Sequence, residues 1–122
     1  MRPFVINGEL SGVARVPAGD PRLIDRTDTQ RLATTDPRTR TVYVSEDVVP
    51  PLLDRVMLHE VAHAVTISWG LLAGLRQRLP RRFWVDAEEW AAQLVENHAI
   101  EAVRAASESL GRPVCVRGVC DD

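Results

Sequence analysis

Residues 52–69 contain neither proline nor glycine, and His59-Glu60-Val61-Ala62-His63 stands near their centre. Pro50-Pro51 suits a first helical turn, Ser45 or Asp47 is a candidate cap, and Gly70 is a natural stop. In a helix, residues four apart share a face about one turn apart. One face then carries Leu52, Val56, His59, His63 and Thr66, and the other Met57, Val61, Ala64 and Val65. A helix apolar on both sides is buried. Two histidines and a glutamate on such a helix need partners. A metal is the simplest single partner. The spacing lets both imidazoles reach one tetrahedral zinc ion, and Glu60 stands where a carboxylate can take a proton from a zinc-bound water. The pattern arises by chance in roughly one chain of this size in several hundred. The alternative is a pair of hydrogen-bonded core histidines, with Glu60 paired to an arginine.

At 122 residues, 45% apolar and 26% charged, the chain has the length and balance of one globular domain spanning residues 1–122. No run of about twenty apolar residues predicts a membrane span, and the first residues lack a signal-peptide pattern, so a cytoplasmic protein is expected. The formal charge of −2 gives no general case for nucleic acid. All fifteen basic residues are arginine, which excludes lysine Schiff-base and P-loop chemistry. Arg76, Arg78, Arg81 and Arg82 read as a solvated turn, or as a docking patch for an acidic partner. Cys115 and Cys120 are too few for a structural zinc site and are expected to be free thiols, with a disulfide as the alternative.

Phe4-Val5-Ile6 and Val13-Ala14-Arg15-Val16 flank Asn7-Gly8, a hairpin-type turn. Residues 20–40 show no period and read as a mobile surface excursion. Thr41-Val42-Tyr43-Val44-Ser45 is the clearest strand. After Gly70, Leu71 to Leu79 form a short helical turn ended by Pro80, and a second long helix is expected from Val85 to Ser109. A small N-terminal sheet or hairpins followed by two helices makes an α+β fold.

A catalytic zinc takes three protein ligands and a water. On the second long helix Glu88 shares a face with Ala91, Ala92, Val95, Ala99 and Ala102. Glu89 shares one with Asp86, Gln93 and Glu96, which reads as solvated. Glu88 is therefore the expected third ligand, with Glu89 as the alternative. His98 lies roughly 15 Å along the helix from Glu88 and is expected to be a half-buried structural histidine, or one that braces a ligand.

Strand Thr41–Ser45, the run Arg55-Val56-Met57-Leu58-His59-Glu60-Val61-Ala62-His63, and Glu88-Glu89-Trp90-Ala91-Ala92-Gln93-Leu94-Val95 together resemble compact zincins of the ImmA/IrrE type. These are metallopeptidase-like proteins of phages, mobile elements and bacterial stress regulation. The resemblance covers roughly residues 41–100. It implies zinc held by His59, His63 and Glu88, with Glu60 as general base, and cleavage of one particular protein such as a repressor. Family members commonly carry Glu-Ala-Asn-x-Phe-Ala and a Leu-Leu-Met-Pro-like run, where this chain has Trp90 to Val95 and no such proline.

Two functions are thereby expected in competition. One is a zinc endopeptidase acting on a protein or peptide, with Tyr43 either a core or strand-surface tyrosine or an oxyanion donor, and strand 41–45 a candidate edge for an extended substrate. The other is a non-enzymatic zinc-binding regulator of phage or mobile-element origin. A nucleic-acid-associated factor, resting only on the Arg76–Arg82 cluster, is weaker.

Overall fold

The computed structural model of the chain describes residues 1–113, so the expectation for Cys115 and Cys120 lies outside the described residues. Asn7 and Gly8 both adopt positive φ, 51° and 74°, the backbone of a two-residue turn that matches the twist of paired strands. The turn joins β1 (Phe4–Ile6) to β2 (Glu9–Val16) with Phe4 opposite Ser11 and Ile6 opposite Glu9. β2 thus begins at Glu9, ahead of the Val13–Val16 run that marks it in the sequence.

β3 (Ala33–Asp36) and β4 (Thr41–Ser45) form a second antiparallel pair. The Asp36 carboxylate accepts from the amides of Arg38 and Thr39 and shapes the turn between them. β4 also runs parallel to β2, so the sheet order is β1-β2-β4-β3. β4 is therefore an inner strand and β3 an edge. Alternation turns Ala33, Val42 and Val44 to one face, where they join Val48 in the core. Leu53, Val56 and Met57 pack onto that face from the first helix. Val42 and Val44 are fully buried, worth about 2 kcal/mol each.

That helix, α1 (Leu52–Ser68), has no side-chain cap. The Ser45 hydroxyl donates to Asp47 instead, so neither expected cap serves. Only the C-terminal half of α1 is buried: Glu60, Ala62, His63, Ala64 and Thr66. Gly70, at φ 69°, lets the chain break, and α2 (Leu71–Arg78) leaves at 71° to α1. α3 (Trp84–Leu94) returns to pack against both α1 and α2. The second long helix is not continuous. A π turn, Val95–Ala99, separates α3 from α4 (Ile100–Leu110), and such turns alter which residues share a face.

Residues 20–40 are not a loose excursion: they hold β3, and the loop before it is built by its own side chains. Leu23 is fully buried. The Asp25 carboxylate accepts from the amides of Thr27 and Thr29, the Thr27 hydroxyl and the Arg31 guanidinium. The fold is α+β: a mixed four-stranded sheet followed by helices. Among the described residues no single helix is long and apolar enough to cross a membrane.

Candidate metal centre

α1 turns His59 and His63 toward one point, with their Nε2 atoms 3.1 Å apart. α3 brings the Glu89 carboxylate against both, Oε2 at 3.5 Å from His59 Nε2 and Oε1 at 3.3 Å from His63 Nε2. Zinc bonds of about 2.0–2.1 Å at tetrahedral angles put neighbouring donor atoms about 3.4 Å apart. The two carboxylate oxygens meet one imidazole each, one ligand atom from each of the three residues lies within 4.8 Å of the others, and a set of two imidazoles and one carboxylate suits zinc.

The far side of each imidazole is also held. His59 Nδ1 lies 2.7 Å from Glu96 Oε2, and His63 Nδ1 lies 3.6 Å from Glu88 Oε1. A carboxylate at Nδ1 favours the proton there and leaves Nε2 free to bind a metal. Glu88, 7% exposed, also accepts from Arg26. Glu88 therefore stands outside the group close enough to share one ion, which is His59, His63 and Glu89. It is the inward residue, as its apolar helical face requires, but it lies behind His63, and Glu89 faces the nitrogens. Consecutive residues differ by about 100° around a helix, so only one of the two can do so.

Glu60 is 6% exposed and accepts a hydrogen bond from the Thr35 hydroxyl of β3. Burial raises its pKa, opposed by the Thr35 bond and by the two histidines. A carboxylate moved toward neutrality is a better proton acceptor and donor in turn. Burial lowers the His63 pKa, but Glu88 and Glu89 outweigh it and raise the pKa to about 10. His59 is raised by Glu89, against its burial. The two histidines hold Glu89 well below the usual carboxylate range. With no cation present, protons on the imidazoles balance the carboxylates, and a divalent cation would exchange with those protons.

A cleft of about 1180 Å³ opens over this cluster, lined by β3, the 22–31 loop, α1, α2 and α3. Tyr43 reaches the cleft with its ring beneath the Arg22 guanidinium, 5.1 Å from centroid to Cζ. His98 is exposed on the π turn rather than half-buried. Arg78, Arg81 and Arg82 are solvated as expected, while Arg76 turns into the cleft. Thr35 and Arg26 went unrecognised in the sequence because they lie in the stretch without a period. Glu96 carried a signal, its spacing of seven from Glu89 on one helical face. Comparison of the chain with protein-family models, curated proteins and solved structures finds no match.

Proposed function

We propose that the chain is a zinc-dependent endopeptidase that hydrolyses a specific protein substrate. The observation that carries this is the convergence of ligand atoms from His59, His63 and Glu89 within 4.8 Å of one another, beside buried Glu60, in a peptide-sized cleft. His59, His63 and Glu89 would hold the ion. When bound, zinc supplies a Lewis acid that acidifies a water and polarises a carbonyl.

The chain's own residues do the remainder. Glu60 accepts the water proton as the new C–O bond forms and then passes it to the leaving amine as the peptide C–N bond breaks. Thr35 holds the Glu60 carboxylate in place for both transfers. Glu96 and Glu88 keep the imidazoles oriented, and Arg26 secures Glu88. β4 is paired on both sides, so it offers no edge to an extended substrate. Of the two edge strands, β1 and β3, it is β3 that lines the cleft and carries Thr35. Main-chain pairing along β3 would lay a peptide across the site.

The test is metal analysis of purified protein, followed by capture of binding partners with Glu60→Gln and their incubation with wild type. One zinc per chain and a captured protein that wild type cuts are expected. Zinc with a captured but uncut partner would instead favour the non-enzymatic regulator. Protein that takes up no zinc when offered it would remove the basis of both.

A further inference from the structure

Most charges lining the cleft are matched by a neighbour. Arg22 pairs with Asp20, Arg26 with Glu88 and Arg31 with Asp25. Asp36 is engaged by turn amides, Glu96 by His59, and Glu60 by Thr35. Two cleft arginines differ. Among the described residues, no carboxylate lies within ion-pair distance of Arg55 or Arg76, though both line the cleft.

Their placement is informative. Arg55 precedes His59 by four residues on α1, so it lies on the histidine face one turn toward the N-terminus. Arg76 lies past the other end of α1, on α2, whose axis turns aside by 71° at Gly70. The two arginines therefore come from before and after the histidines along the chain, and both line the cleft over them. Arg76 is also partly desolvated and pre-positioned. Its Cζ stands 5.3 Å from the centroid of Trp84, and its Nε is buried with no hydrogen-bond partner. Stacking on an aromatic ring orients the planar fork.

We infer that this cleft selects an acidic peptide, with a carboxylate side chain received by Arg76 and a second, on the opposite side of the scissile bond, by Arg55. Carboxylates match a guanidinium fork in two-point fashion. Two isolated guanidiniums in a chain of net charge −2 suit a pair of side chains better than the continuous basic track a nucleic-acid backbone needs. The inference rests on the peptidase reading for where the scissile bond lies, but its test measures binding.

The experiment uses full-length, zinc-loaded Glu60→Gln and fluorescence anisotropy. The probes are a dodecapeptide library with Asp and Glu fixed at scattered positions, the same library with Asn and Gln there, and a single-stranded DNA oligonucleotide. The acidic library should bind about tenfold or more tightly than its amide counterpart. Arg76→Gln and Arg55→Gln should each erase most of that preference, and the exposed Arg78→Gln should not. Circular dichroism and zinc content check that each variant is folded. Should Arg76→Gln misfold, Arg55→Gln and Arg76→Lys, which keeps the charge but loses the fork, carry the test. Equal binding of the two libraries would overturn the inference, as would tighter binding of DNA or loss of preference in Arg78→Gln. Acidic preference with no cleavage by wild type would sink the peptidase reading alone. Cleavage without acidic preference would sink this inference alone.

Discussion

The assignment of Glu89 rather than Glu88 to the metal can be tested by comparing two variants. Glu89→Ala removes one of three donor atoms. Glu88→Gln keeps the side chain's shape and an oxygen that can accept from Arg26 and His63, but removes the charge behind the imidazole. Loss of a group that braces a ligand typically costs 10–100-fold in metal affinity, or about 1.4–2.7 kcal/mol. Loss of a donor should exceed that. With free zinc held about 100-fold above the wild-type Kd, binding stabilises the wild type by about 2.7 kcal/mol. For a chain of this length that is roughly a 10 °C rise in Tm. Glu88→Gln should retain about 0.4–1.4 kcal/mol of the zinc effect, and Glu89→Ala less than about 0.4 kcal/mol. The assay is thermal melting with and without zinc, paired with chelator competition for Kd. A zinc shift retained in Glu89→Ala and lost in Glu88→Gln would refute the assignment and return Glu88 to the ligand set.

Three further outcomes are expected. Glu60→Gln should keep one zinc per chain and lose hydrolysis of any substrate wild type cuts, since an amide cannot accept the water proton; turnover at the wild-type rate would eliminate Glu60 as the base. Thr35→Val removes a bond that favours the ionised Glu60 carboxylate, so the acidic limb of the pH–rate profile should move to higher pH and stability at pH 7 should fall by about 1.5–3 kcal/mol; an unmoved limb would show that Thr35 does not tune Glu60. Zinc-free protein should weaken as pH rises, because the His63 pKa is raised from 6.5 to about 10 in the fold. Its contribution is full below about pH 6.5 and gone above about pH 10, whereas zinc affinity should increase over the lower part of that range as the imidazoles release protons. Melting of chelated wild type and His63→Asn at pH 6, 8 and 10 checks this, and parallel curves for the two would count against it.

The elements that speak for themselves in the sequence are those with strong local chemistry. Asn7-Gly8 closes a hairpin because both residues tolerate positive φ. Val42 and Val44 alternate with Tyr43 on a half-covered strand, and the uninterrupted run from Leu52 to Ser68 is a helix. The parallel pairing of β2 with β4 has no local signature, because it depends on where the 17–40 connection carries the chain. That connection looks aperiodic because its order comes from side chain to backbone bonds at Asp25 and Asp36, not from hydrophobic repetition. It supplies Arg26 to Glu88 and Thr35 to Glu60, so part of the site was hidden with it. The π turn was equally invisible, since residues 95–99 are ordinary helix formers.

The difference between the expected third donor, Glu88, and the carboxylate that faces the histidines, Glu89, follows from how amphipathic patterns behave where two helices share a polar contact. Sorting a helix into apolar and polar faces assumes that the polar face meets water. On α3 the apolar face is indeed the packed one: Glu88 and Ala92 are buried on it. The polar face, with Glu89 and then Glu96, meets the two histidines of α1 instead. A metal-binding pair of helices needs polar residues on facing sides, and in sequence that side looks the same as a solvated one. The distinguishing sign lies on the partner helix. His59 and His63 already put nitrogen donors on α1, so an ion held there would take its oxygen donor from the polar stripe of the helix packed against it. Glu88, one position earlier and on the flank of that contact, is left to hold the far side of His63. A carboxylate at a polar spacing of seven, opposite an H-E-x-x-H helix, is thus a better candidate ligand than one set among alanines.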